Sequence, residues 1–249
     1  MNRKFGFFTL TILLLLSCEK EESKLFVALP NSQTNVSFSN SLKNDRDLNI
    51  LNYIYYYNGA GLATADFNND NLVDIYFTSN EGSDKLYLNK GNLSFEDITS
   101  KSNITNDLGW TTGVTHVDIN NDGLLDIYVC KVSGYMKLKG HNLLYVNQGL
   151  KNGIPYFKEE SSAYGLDFSG FSTQAAFLDY DLDGDLDMFL LNHSVSPNMN
   201  YGKGVQRTVP DVVSGDRLYE NKNGFYKDVS SSAGIFQGKI GYGLGISIS

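Results

Sequence analysis

The chain is poor in cysteine, proline, histidine and basic charge, and each shortage excludes something. Two cysteines, Cys18 and Cys130, are all that 249 residues contain. That excludes a disulfide framework, and Cys130, alone in an apolar run, reads as a small buried hydrophobe. The three histidines, His116, His141 and His193, stand in separate contexts. His116 lies two residues before an aspartate on an expected strand and reads as structural. Lys and Arg number 20 against 28 Asp and Glu, for a net charge of −8, which argues against a nucleic-acid partner. No apolar run can span a bilayer. The run Phe5–Leu16 falls well short of the roughly 20 residues required. Catalytic signatures are also missing: no G-x-S-x-G elbow, no H-E-x-x-H, and no complete G-x-G-x-x-G. GAGLAT (59–64) and GYGLGI (241–246) lack the third glycine and precede strands rather than helices.

What is present suits short strands and tight turns. Hydrophobic residues make up 41% of the chain, with 16 Tyr, 15 Phe and 24 Gly against 4 Pro, enough to build a core. The N-terminus reads as a targeting segment: Arg3 and Lys4, then the apolar run, then Ser17-Cys18. Leu15-Leu16-Ser17-Cys18 resembles a bacterial lipobox. That resemblance implies cleavage before Cys18 and lipidation of its thiol, hence a membrane link by lipid anchor only. An ordinary signal peptide with a chance cysteine is the plainer reading. Cleavage would remove Arg3 and Lys4 and take the charge from −8 to −10. Glu19-Lys20-Glu21-Glu22 resembles acidic signals that send bacterial lipoproteins to the outer cell surface; it also reads as a solvated spacer.

Beyond residue 24 three markers recur in one order. The first is an Asp-rich nonapeptide: DFNNDNLVD (66–74), DINNDGLLD (118–126) and DYDLDGDLD (179–187). Each runs into an apolar strand: IYFT (75–78), IYVC (127–130), MFLL (188–191). The second is Leu-Tyr-x-Asn at 86–89, 144–147 and 218–221; the third begins with an aromatic, FEDITSKSNI (95–104), FKEESSAYGL (157–166) and YKDVSSSAGI (226–235). The nonapeptides start at 66, 118 and 179, a spacing that signifies a solenoid, a propeller or an array. Each period holds about four short strands without strict alternation, as expected for strands covered on both faces. The fold expected is all-β, a β-propeller of four-stranded blades. GLGISIS (243–249) aligns with the start of the first repeat. Three blades plus the start of another are therefore expected, as the N-terminal part of a longer protein. The organisation read is 1–17 signal peptide, 18–24 polar tether and 25–249 repeats.

The nonapeptides explain their own charge. Close carboxylates repel by roughly 1 kcal/mol per pair in water and about 4 at an effective dielectric of 20, so something must offset them. Positions 1, 3, 5 and 9 are Asp66, Asn68, Asp70 and Asp74; Asp118, Asn120, Asp122 and Asp126; Asp179, Asp181, Asp183 and Asp187. Position 7, Leu72, Leu124 or Asp185, can add a backbone carbonyl. Position 6, Asn71, Gly123 or Gly184, tolerates a left-handed backbone. Hard oxygen donors without His or Cys point to Ca²⁺ rather than Mg²⁺, about one ion per loop. An EF-hand would require Glu at position 12, where Phe77, Val129 and Leu190 stand. Metal-free Asx turns are the alternative. Three ions would bring −10 to −4.

These residues carry a family resemblance. The repeats resemble FG-GAP/VCBS repeats, the units of integrin α-chain propellers and of many secreted bacterial proteins. The entry segment 48–80 resembles the start of bacterial VCBS-repeat lipoproteins, which often end in an ASPIC/UnbV-type domain. The resemblance covers about 25–249, and the family's calcium positions fall on the loop residues named above. It implies a binding or adhesion module in the bacterial outer membrane, at the cell surface.

The expected partner is an extracellular protein or glycan. From the ninth loop position to the next Leu-Tyr-x-Asn the separations are 74 to 86, 126 to 144 and 187 to 218. Variation is thus concentrated in the second connection of each blade, and varying loops on a constant scaffold are where binding resides. The longest, 193–215, contains Tyr201, Lys203, Gln206 and Arg207. It reads as a contact surface or as a tolerated insertion. Eight residues before the loops stand Asn58, Trp110 and Phe171, with Tyr242 in the aligned place. They either ring a channel mouth and stack on sugars or pack at strand ends. The carboxylates are accounted for by the loops, so no catalytic residue is assigned and the chain is not expected to be an enzyme. A non-catalytic part of a polysaccharide-degrading enzyme and a purely structural envelope protein are the rival readings.

Overall fold

A computed structural model of the chain describes residues 24–43, 45–104, 109–195 and 209–248. It is built from three four-stranded antiparallel sheets. The first contains β1 (Leu62–Ala65), β2 (Asp74–Phe77), β3 (Lys85–Asn89) and β4 (Phe95–Asp97). The second contains β5 (Trp110–Val117), β6 (Asp126–Val132), β7 (Leu143–Lys151) and β8 (Ile154–Glu159). The third contains β9 (Ser172–Leu178), β10 (Asp187–Asn192), β11 (Arg217–Lys222) and β12 (Phe225–Asp228). Each sheet is a meander in which every strand pairs with its sequence neighbour. The only helices among the described residues are two four-residue turns, α1 (Asn31–Thr34) and α2 (Ser161–Tyr164).

The middle sheet shows why its strands do not alternate. Every residue of β6 is buried. Ile127 and Val129 point into a core shared with Tyr76, Leu86 and Leu88 of the first sheet. Tyr128 and Cys130 point the other way, into a core shared with Met188, Leu190 and Tyr219 of the third. A strand covered on both faces reads as a near-continuous apolar run, broken here only by Asp126 and Lys131 near its ends. Each fully buried aliphatic side chain contributes roughly 1.5–3 kcal/mol, so the stacking of sheets supplies much of the stability.

The first strands of the sheets lie side by side, and glycine permits it. A Cβ on Gly61 would stand 2.8 Å from the Thr112 carbonyl oxygen, and one on Gly113 2.3 Å from that of Thr173. Hydroxyls stitch the same seam: Thr78 Oγ1 donates to the Thr112 carbonyl and Thr112 Oγ1 to that of Ser172, each at 2.7 Å. The N-terminal segment docks on these strands. Leu48, Tyr53, Tyr55 and Tyr56 form a third core with Trp110, Val132 and Phe171, while Phe38 stacks on Phe77 at 4.7 Å.

One expectation is corrected. Residues 241–248 form no strand. They do lie against the third sheet: Ser194 N donates to the Gly241 carbonyl at 2.8 Å, and Gly243 abuts the Asn192 carbonyl. In the other sheets the first strand pairs with the strand after its Asp-rich loop. No such loop occurs between 241 and 248, and the segment lies against the third sheet without strand geometry.

Candidate metal centres

The three nonapeptides connect β1 to β2, β5 to β6 and β9 to β10, at one end of the sheets, and they fold alike. The residue at position 1 caps the turn. Asp66 Oδ1 accepts from Asp70 N and Oδ2 from Asn71 N, at 3.1 and 2.7 Å. Asp118 accepts from Asp122 N and Gly123 N, and Asp179 from Asp183 N and Gly184 N. Position 5 caps position 7: Asp70, Asp122 and Asp183 accept from Leu72 N, Leu124 N and Asp185 N. Position 6 is left-handed in all three loops, at φ of 66° for Asn71, 82° for Gly123 and 95° for Gly184. So is position 4 (Asn69, Asn121, Leu182), which the spacing did not announce. Two left-handed residues curl each loop so that alternate side chains converge. The first two loops touch, Asn69 Nδ2 donating to the Gly123 carbonyl at 3.3 Å.

Position 9 differs from the rest. Asp74, Asp126 and Asp187 are fully buried. One carboxylate oxygen of each accepts the backbone N–H of position 2, from Phe67, Ile119 or Tyr180. The other accepts the backbone N–H of the Asn in Leu-Tyr-x-Asn, from Asn89, Asn147 or Asn221, at 2.7–2.8 Å. The side chains of those asparagines donate to the carbonyl of position 8, Val73, Leu125 or Leu186. The second marker is thus the other half of the first. Its asparagines belong to the site, and their fixed pairing with each nonapeptide was the sequence signal for it. Burial pushes the Asp74 and Asp126 carboxyls up to about 6, against the pull of those backbone bonds and assisted by neighbouring aspartates.

The donor set fits a hard cation. In the third loop, oxygens of Asp179, Asp181 and Asp187 lie within 4.8 Å of one another. Asp181 and Asp185 are pushed up from the ordinary carboxylate value by desolvation and then by neighbouring carboxylates, the repulsion that a divalent ion relieves. In the other loops Asn68 and Asn120 replace the third-position aspartate. Each donates its amide to a carboxylate oxygen of position 5, at 2.9 Å; its amide oxygen accepts the position-5 N–H and keeps one lone pair for a cation. Position 9 keeps lone pairs beyond the two that its backbone partners use. Each loop can therefore hold Ca²⁺ through oxygen alone.

The remaining candidates scatter. Trp110 and Phe171 are buried, at 1% and 6% exposure. Trp110 packs against Tyr53 edge-on at 5.5 Å and against Tyr56 at 5.3 Å. Cys130 is buried at the seam of the second and third sheets, and burial pushes its thiol up. Cys18, Tyr201, Lys203, Gln206 and Arg207 lie outside the described residues. The connections of varying length, β2 to β3 and β6 to β7, and the described ends of that from β10 to β11, sit at the end opposite the Asp-rich loops, as antiparallel meanders require. No helix among the described residues is long and apolar enough to cross a membrane.

With this geometry in place, the comparisons are informative. Residues 66–129 match the family of FG-GAP-like repeats. The match begins at the first Asp-rich loop and runs through the second into β6. The chain is also similar to cartilage acidic protein 1: 32% identical over 141 residues of the Mus musculus protein, covering 55% of this chain and 21% of that one. For the Homo sapiens protein the figures are 32% over 142 residues, with 55% and 21% covered. For the Xenopus tropicalis protein they are 28% over 156 residues, with 61% and 23% covered. The chain thus spans about a fifth of the length of these relatives.

Proposed function

We propose that the chain is a calcium-stabilised β-propeller module that recognises a protein or glycan partner, carried on the bacterial outer membrane by a lipid on Cys18. One observation carries this reading. Three loops with the same hydrogen bonds, each closed by a fully buried aspartate, stand at one end of three stacked four-stranded sheets. Cations there would join each first strand to its second and leave the opposite end free for a partner. The FG-GAP-like match over 66–129 supports repeat blades, and first strands lying side by side support their arrangement about a common axis. The resemblance of Leu15-Leu16-Ser17-Cys18 to a lipobox supports the anchor. No residue is given a catalytic role, because the carboxylates are used by the loops. The test is a capture experiment with the full chain against envelope proteins and a glycan array, with calcium and with chelator. Capture that calcium promotes is expected. Failure to capture any partner in either condition overturns the reading.

A further inference from the structure

The Asp-rich loops occupy one end of the first strands; a cavity of about 610 Å³ opens at the other. The starts of β1, β5 and β9 and residues 244–246 wall it, together with Tyr53, Tyr55 and His193. Its size suits a small ligand. Its chemistry is narrow. Among the described residues that line it none is Asp, Glu, Lys or Arg, in a chain of net charge −8. His193 is 1% exposed. Its Nε2 lies 3.0 Å from the Tyr53 hydroxyl and its Nδ1 3.0 Å from Thr173 Oγ1. Burial pulls its pKa from 6.5 to about 3, so the imidazole is neutral, and burial keeps both tyrosines protonated.

One group in this wall is unsatisfied. Tyr55 is 6% exposed, and its buried hydroxyl has no hydrogen-bond partner among the described residues. Its ring is held against His193 at 4.1 Å. A buried hydroxyl left unpaired is costly, and this one belongs to a residue that lines an open cavity. Asn58, exposed at the rim, offers an amide donor and acceptor. Leu244, Ala60 and Ile246 supply accessible apolar surface, and Trp110 and Tyr53 back the wall from buried positions. An aliphatic ligand would leave Tyr55 unpaired, and an ion would find no countercharge among the described residues. A sugar presents both hydroxyls and apolar C–H faces.

We propose that this cavity holds the terminal unit of a neutral saccharide, with the Tyr55 hydroxyl and the Asn58 amide as its hydrogen-bond partners. The proposal rests on the reading of the chain as a recognition module and names its ligand class. The sequence left Asn58 and Trp110 either at a channel mouth or packed at strand ends; both line this cavity, Asn58 from the exposed rim and Trp110 from a buried position.

The test is a titration of the calcium-loaded full chain with glucose, galactose, mannose and N-acetylglucosamine, and with oligosaccharides ending in each. Saturation-transfer NMR and calorimetry report binding. At least one of these saccharides is expected to bind. The free sugar and the chain end together show whether the cavity takes the terminal unit alone. Tyr55→Phe keeps the ring and removes only the unpaired oxygen; it and Asn58→Ala should each weaken binding by roughly 2- to 10-fold. Glucuronic acid should bind less tightly than glucose. Binding by none of these saccharides overturns the proposal, as does binding that neither substitution alters or that glucuronic acid matches. The metal loops lie at the other end, so the calcium-dependent rise in melting temperature is read separately on the same samples. That rise without saccharide binding discards the ligand class and leaves the calcium-stabilised module. Saccharide binding without that rise discards the calcium and keeps the cavity.

Discussion

Replacing Asp126 by Asn separates the two jobs of the ninth loop position. Asp126 is fully buried and accepts from Asn147 N at 2.7 Å and from Ile119 N at 2.9 Å. Asparagine can accept only one of these bonds; its amide nitrogen would face the other N–H. An unsatisfied buried donor costs about 1–3 kcal/mol. That loss is independent of metal. In chelator it is read at about pH 3, where Asp126 is protonated in the folded and unfolded chain and the substitution relieves no buried charge. With calcium at ten times its dissociation constant, a lost site removes roughly a further 1.4 kcal/mol. The control is Asp122→Asn. Asp122 is exposed, so its loss without calcium should stay within about 0.5 kcal/mol, while its loss with calcium should approach the linkage value. The assay is thermal unfolding of the full chain and both variants, in chelator and in calcium. For a domain of this size 1 kcal/mol shifts the midpoint by about 2–4 °C. Asp126→Asn should therefore fall by on the order of 2–12 °C even in chelator, and Asp122→Asn chiefly when calcium is present. An Asp126→Asn variant that melts like the parent in chelator would refute the strut, and an Asp122→Asn variant that keeps its full calcium response would refute the ligand role.

Three further outcomes are expected. Gly113→Ala should destabilise the chain by roughly 1–3 kcal/mol, because its Cβ would stand 2.3 Å from the Thr173 carbonyl oxygen and 1.8 Å from Gln174 Oε1; denaturant melts that do not move would contradict the close approach of β5 and β9. His193 has a folded pKa of about 3 against 6.5. The unfolded chain therefore binds the proton first. Its contribution is complete above pH 6.5 and is lost as pH falls toward 3, by at most about 1.4 kcal/mol per pH unit. His193→Gln should reduce that slope, and an unchanged slope in pH-dependent denaturation would contradict a buried neutral imidazole. Cys130 is fully buried with its thiol pushed up. In a Cys18→Ser background it should resist iodoacetamide until the chain unfolds; rapid labelling of the native protein would contradict its place between the sheets.

The strands and loops were legible because repetition exposes them. IYVC (127–130) lies inside β6 (Asp126–Val132), and Leu-Tyr-x-Asn lies inside β3, β7 and β11. The strands after the loops begin one residue early, at the ninth aspartate, since its carboxylate is tied into the neighbouring backbone. The Asn of Leu-Tyr-x-Asn was visible as a motif but not as part of the site. Its role depends on a bond from Asn147 N to Asp126, across the β6–β7 pair, which no local pattern encodes. The tyrosine cluster was less legible still. Tyr53 reaches His193, 140 residues away, and the NYIYYYN run (52–58) has neither strand nor helix periodicity. Its side chains are placed by tertiary packing on Trp110 and Phe171. The strand expected to open another blade is not formed over residues 241–248, since sequence resemblance alone does not supply the ladder that makes a strand.

Calcium titration calorimetry of the metal-stripped full chain is the most direct measurement. Saturable heat is expected, with about one ion bound for each intact Asp-rich loop, and the triple substitution Asp70→Ala, Asp122→Ala and Asp183→Ala should remove the binding contributed by these three loops. No binding at millimolar calcium, or heat unchanged in the triple variant, would contradict it.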